Sequence, residues 1–125
     1  MRITRYLHVI ALCLSCGPRE FVHSERHETV VAALELRSLL DQPMAFNEKI
    51  VAVHGYFHCE YEDSGLWTSE DAFQRHDRSA RISIQHDEQF TLARCLKYSG
   101  RHVTVVGELA APGRTIVRVQ AVRVR

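Results

Sequence analysis

The sequence has no Gly-rich phosphate loop and no HExxH, so neither phosphate cradling nor zinc-dependent hydrolysis is signalled. It also has no excess of one charge: 16 Lys and Arg face 15 Asp and Glu, a net charge of +1 with histidine neutral. Domains held to nucleic acid by bulk charge are clearly basic, so that class loses its usual support. The N-terminal apolar stretch, residues 6–14, is far shorter than the about 20 residues a membrane-spanning helix needs. Cysteine is sparse, with four residues at 13, 16, 59 and 95. No nucleophile stands in a recognisable arrangement with an acid or base, and catalysis is not expected. A length of 125 residues bounds the chain to one domain with a core of ordinary size. Histidine is abundant at eight, which is a matter of composition and not in itself a metal site.

What is present is a repeated strand. Lys49-Ile50-Val51-Ala52-Val53-His54-Gly55-Tyr56-Phe57 returns as Arg101-His102-Val103-Thr104-Val105-Val106-Gly107-Glu108-Leu109. Each copy follows an aromatic residue and a short polar turn, Phe46-Asn47-Glu48 and Tyr98-Ser99-Gly100. The period is two: Val51, Val53, Gly55 and Phe57 share one face, as do Val103, Val105, Gly107 and Leu109. A glycine inside a strand marks a bulge, a sharp bend or a close backbone approach. Two such bends coil short strands enough to close a small barrel.

Around these strands the pattern reads in order. Apolar positions at 30, 31, 34, 36, 39 and 40 predict a helix over residues 30–40, with Thr29 as N-cap and a stop before Pro43. Strands are expected at 49–59, 66–68, 81–85, 101–109 and 115–124. A capping box at Thr68-Ser69-Glu70-Asp71 predicts a helical turn to about residue 74. Residues 75–79 read as a polar loop. A one-faced helix is expected over 90–97, and a turn at Ala111-Pro112-Gly113-Arg114. Three strands, a helix and two strands make the order of the OB-fold, a five-stranded Greek-key barrel. The expected fold is therefore mainly β with short helices, an OB-like barrel carrying an extra N-terminal helix. An open α+β sheet is the alternative.

Leu36-Arg37-Ser38-Leu39-Leu40, Phe46-Asn47-Glu48-Lys49, Val51-x-Val53-x-Gly55, Ser69-Glu70-Asp71-Ala72 and Tyr98-Ser99-Gly100-Arg101-x-Val103-x-Val105-x-Gly107 resemble small bacterial OB-like envelope proteins. Many of these are classed as lipoproteins without assigned activity. The resemblance spans residues 30–109, and the last hairpin is shorter than the group's pattern. It implies the fold and an envelope location. It carries over no catalytic residue and names no ligand.

The N-terminus agrees with that implication. A basic start (Arg2, Arg5), a short apolar run and Ser15-Cys16 describe a lipoprotein-type signal over residues 1–16, with Cys16 as the lipidated residue. Cys13 stands where Leu is normal, and His8 interrupts the run. Residues 17–29 read as a linker, and 30–125 as the domain. A cytoplasmic protein with an apolar N-terminus is the alternative. After export, Cys59 and Cys95 remain as an even pair in an oxidising compartment, so a disulfide between them is a candidate. Two buried free thiols are the bland reading.

The candidate ligand face is His54, Tyr56 and His58 on the side of the first strand opposite its valines, with Trp67 beside them. No metal is expected there. His54 and His58 lie about 13 Å apart along a strand, too far to share an ion without His86 or His102 from a neighbour. His23 and His27 have helical metal spacing, but a solvated linker explains them better. Single-stranded nucleic acid is the usual OB ligand. Here Glu60, Glu62 and Asp63 in the first loop repel phosphate. Arg114, Arg118, Arg123 and Arg125 read as a solvated strand edge. The expected function is thus a non-enzymatic binding or interaction module of the envelope without a cofactor. Its partner would be an envelope protein or small ligand, and the membrane would be reached through the lipid. A cytoplasmic single-strand nucleic-acid binder is the alternative.

Overall fold

The computed structural model describes residues 20–22 and 30–125. Seven strands are present among them: β1 (Glu20–Val22), β2 (Ala32–Glu35), β3 (Ile50–His58), β4 (Ser64–Trp67), β5 (Arg81–Ile84), β6 (Arg101–Ala110) and β7 (Thr115–Val124). Three short helices accompany them: α1 (Leu36–Asp41), α2 (Glu70–Gln74) and α3 (Leu92–Leu96). Cys16, expected as a lipidation residue, the expected signal over residues 1–16 and the His23/His27 pair lie outside the described residues.

Five strands close on themselves in the order β3-β4-β5-β7-β6 and back to β3. Every neighbour is antiparallel except β5 and β7, which run parallel through Ser83–Thr115 and Ile84–Ile116. With α3 between the third and fourth barrel strands, this is an OB-like closed barrel.

The repeated motif is the barrel's local symmetry. β3 and β6 pair with each other, so that Val51 faces Gly107, Val53 faces Val105 and Gly55 faces Val103. Each glycine marks a place where the chain must bend. Along one edge, the first half of β3 pairs with β2 and the second half turns away to pair with β4. Gly55 sits between the two halves, and a Cβ there would lie 2.7 Å from the Trp67 carbonyl oxygen and 2.8 Å from Leu66 Cγ. Gly107 lies opposite a bulge in β7, where a Cβ would meet Ile116 Cγ2 at 2.6 Å. At the bulge Arg118 takes a left-handed φ of 47°. Ile116, Val119 and Val122 then all reach the core, a spacing that strict alternation forbids.

The core holds Val51, Val53, Phe57, Leu66, Ile82, Val103, Val105 and Leu109 from the strands. Leu36, Leu39 and Leu40 enter from α1, and Phe90, Cys95 and Tyr98 from the α3 region. Cys59 and Cys95 are joined by a disulfide across a Cα separation of 5.8 Å. It ties the end of β3 to α3 and closes a loop of 36 residues, worth about 4 kcal/mol through restriction of the unfolded chain.

Three sequence expectations are corrected. The helix over 30–40 is halved: Ala32–Glu35 is strand β2, parallel to β3, and only Leu36–Asp41 is helical. The bend at Gly55 leaves the first half of β3 needing a second partner, and that need outweighs the helical period. Glu20–Val22, in the stretch read as a linker, pairs with Ala121–Arg123 of β7 as β1. The cap of α2 is Ser69, not Thr68, and its Oγ accepts the Ala72 N–H at 3.0 Å.

Candidate functional site

The outer face of β3, β4 and β5 carries a groove of about 270 Å³, roofed by α2 and the loop after it. Its walls are His58, Trp67, Phe73, His76, Arg78 and Arg81, with Glu60 and Asp63 from the β3–β4 loop.

Strand pairing builds the floor. Tyr56 faces Trp67 across β3 and β4, and Trp67 faces Arg81 across β4 and β5. These residues point outward because Phe57, Leu66 and Ile82, their alternates, point into the barrel. Phe73 descends from α2 onto this row. Its ring lies 4.2 Å from that of His58 in a stacked arrangement, 5.4 Å from Trp67 edge-on and 5.7 Å from Tyr56. Tyr56 and Trp67 are thereby buried, and burial followed by the nearby Glu70 charge raises the Tyr56 pKa.

Arg81 crosses the floor with its guanidinium 5.2 Å from the Trp67 ring centroid. Only 7 % of it is exposed. Gly65 makes room for it: a Cβ there would sit 2.6 Å from Arg81 Nε. Arg81 Nη1 donates to both Asp63 carboxylate oxygens at 3.2 and 3.3 Å, and Nη2 to the Asp63 carbonyl at 3.1 Å. Ser83 Oγ and Arg78 Nη2 donate to the same carboxylate at 2.9 and 3.1 Å. Burial pushes the Asp63 pKa up, but the Ser83 hydrogen bond, the Arg81 field and the two arginine hydrogen bonds outweigh it. The net pKa is lowered. Arg81 Nε is buried without a hydrogen-bond partner. His58 Nδ1 lies 3.3 Å from Glu60 Oε1, but not in line for a hydrogen bond.

His76 closes the groove from an unusual backbone position. The end of α2 is a Schellman turn: Asp77 N–H bonds to the Ala72 carbonyl and His76 N–H to the Phe73 carbonyl, both at 3.0 Å. The residue in the left-handed position of that turn is His76, at φ 54°, where glycine is the usual choice.

Of the sequence candidates, His58 and Trp67 line the groove, and Tyr56 supports it from beneath Phe73. His54 does not join them. It hydrogen-bonds Thr104 Oγ1 on β6, on the other side of the strand's bend. His102 packs edge-on against Tyr56 at 5.4 Å, while His86 does not line the groove and contacts Cys95 instead. Burial lowers the His86 pKa, with the Asp87 charge partly opposing. Phe73, His76, Arg78 and Arg81 were missed. Residues 75–79 have no period to place them, although the capping box before Phe73 did mark where a helix would lay an aromatic across the strands. The C-terminal arginines include two held by acids: Arg118 by Glu108, and Arg125, 3.6 Å from Glu35. Tyr61, in the acidic loop, is 79 % exposed.

None of the described helices is long and apolar enough to cross a membrane. No family model, curated protein or solved structure matches the chain.

Proposed function

We propose that this chain is a non-enzymatic binding module of the bacterial cell envelope, anchored through Cys16, and that it takes its ligand in the groove over β3, β4 and β5. The observation that carries this reading is Arg81 Nε, a buried donor with no partner, on the floor of a pocket walled by aromatic rings. A buried unpaired donor costs about 1–3 kcal/mol, which a ligand's acceptor would recover. Glu60 and Asp63 balance Arg78 and Arg81 within the groove, so a polyanion gains little there. A small ligand with a ring and a single acceptor group fits better: the ring packs on Phe73 and His58, and the acceptor meets Arg81 and His76.

Trp67 is the sole tryptophan, so its emission reports on the groove directly. Titration with aromatic carboxylates and with short peptides ending in an aromatic residue should shift that emission saturably, and Phe73→Leu should weaken the effect. Micromolar, salt-sensitive binding of a thymidine oligonucleotide instead would favour the nucleic-acid alternative, because phosphate contacts weaken as salt rises. The location is tested separately by palmitate labelling of the full chain. Label lost in Cys16→Ser supports the anchor, and an unlabelled, cytoplasmic full-length protein ends that part of the proposal.

A further inference from the structure

A second cluster, none of whose side chains lines the groove, lies where the end of β3, the start of β4 and α3 meet. Cys59 Sγ, Cys95 Sγ and one ring nitrogen of His86 all lie within 4.8 Å of one another. His86 Nε2 is 3.2 Å from Cys95 Sγ and 2.8 Å from Ser64 Oγ, which is itself 3.4 Å from Cys95 Sγ. Cys59, Cys95 and Ser64 are buried, and His86 is half-buried, so the imidazole stands between the sulfurs and solvent.

We propose that the reduced form of this pair is a binding site for a zinc-class divalent ion, with Cys59, Cys95 and His86 as its ligands, and that the disulfide is the closed state of the same site.

The donor set is two thiolates and an imidazole, the combination that suits a tetrahedral, borderline-soft ion and not magnesium or calcium. Bonds of 2.3 Å to sulfur and 2.0–2.1 Å to nitrogen put tetrahedral ligand atoms about 3.5–3.8 Å apart. The His86–Cys95 distance of 3.2 Å and the 4.8 Å limit on the whole set bracket that value. Reduction of the bridge frees the two sulfurs to move apart toward that spacing. Three protein ligands leave a fourth position free, and the Ser64 hydroxyl stands beside the set. The hydroxyl is held by the Glu60 backbone: it accepts that residue's N–H at 2.8 Å and lies 3.0 Å from its carbonyl.

The exchange balances. A dithiol reductant gives two electrons and two protons to the bridge and becomes a disulfide, and Cys59 and Cys95 each gain a hydrogen. The ion then displaces both protons to solvent and binds two thiolates, as thiol sites do. An oxidising compartment keeps the site shut, and a dithiol-supplied one opens it.

The test uses the full chain with Cys13→Ser and Cys16→Ser, so that the only thiols are those of the site. The protein is reduced with a non-thiol phosphine without oxygen and titrated with Co²⁺. One Co²⁺ per chain is expected, with a near-ultraviolet thiolate charge-transfer band sized for two sulfurs and visible bands of a tetrahedral ion. Zn²⁺ should abolish both, and the oxidised protein should show neither. His86→Asn should weaken Co²⁺ at least tenfold, and His102→Asn should leave it unchanged. Absence of the equimolar band, an octahedral spectrum or unchanged affinity in His86→Asn overturns the proposal. Circular dichroism of each sample separates lost ligation from lost fold, and a reduced chain that stays unfolded with metal present also counts against it.

Discussion

Arg81 is held in the floor by one half-exposed carboxylate, and much of the groove's chemistry follows from that pairing. A buried guanidinium that loses its counter-charge is costly, although the 44 % exposure of the Asp63 side chain lets water compensate in part. Asp63→Asn should therefore lower stability by about 1–2 kcal/mol. The pH dependence has a definite sign. Asp63 is held below its ordinary pKa in the folded state, so its contribution is fully present above the unfolded value of about 3.9 and is lost as pH falls through the folded value. Urea unfolding from neutral pH down through that range should show a smaller decline in Asp63→Asn than in the parent. His76 supplies the opposite kind of evidence. A left-handed non-glycine residue in a Schellman turn is strained, and such positions cluster at functional sites. His76→Gly should raise stability by about 0.5–1 kcal/mol while weakening any groove ligand. A variant that loses stability, or binds as well as the parent, would show that the histidine is only a turn residue.

At the scale of elements, the bends decide the architecture. Gly55→Ala places a methyl against the Trp67 carbonyl and Leu66 Cγ, where β3 passes from β2 to β4. Backbone cannot yield as a side-chain tip can, so the cost should be about 2–3 kcal/mol, read as a lower denaturant midpoint with an unchanged slope. Gly65→Ala differs, because the atoms nearest the new methyl belong to the Arg81 guanidinium, which Asp63 holds in place. It should displace that guanidinium, changing Trp67 emission and lowering stability together. The barrel was legible in the sequence because β3 and β6 carry unbroken Val-x-Val alternation with a glycine at the bend, and α3 fell between the right strands. Strand β2 was not legible. Its apolar residues share a period with α1, and its pairing depends on an edge that exists only once β3 has bent. The bulge at Arg118 was hidden for a similar reason, since Ile116, Val119 and Val122 read as a break in alternation until Gly107 is seen opposite. The groove was half legible: His58 and Trp67 follow from alternation, whereas Phe73, His76 and Arg81 reach the same pocket from three different segments.

The whole barrel closes through one short seam. β3 and β6 pair over eight register positions, from Ile50–Glu108 to Phe57–Arg101, whereas β5 and β7 pair over two. The seam's flanking hydrogen bonds are Ser83 N–H to the Arg114 carbonyl and Gln85 N–H to the Ile116 carbonyl, both at 2.9 Å. Arg114, immediately before β7, is in the left-handed region at φ 48°, so the turn leading into the seam adds strain and not support. Local opening follows the weakest junction, and this seam pairs over fewer register positions than any other junction of the ring. The groove lies on β3, β4 and β5, and β5 is the strand freed when the seam parts. Native-state hydrogen exchange should therefore find the Ser83 and Gln85 amides opening at a lower free energy than the Val53 and Val105 amides of the β3–β6 ladder. A ligand that bridges Arg81 to His58 and Phe73 would tie β5 back to β3 and raise the protection of Ser83 and Gln85 selectively. Equal protection at both junctions would mean that the barrel opens only as a unit, and the groove would then be rigid on the timescale of exchange.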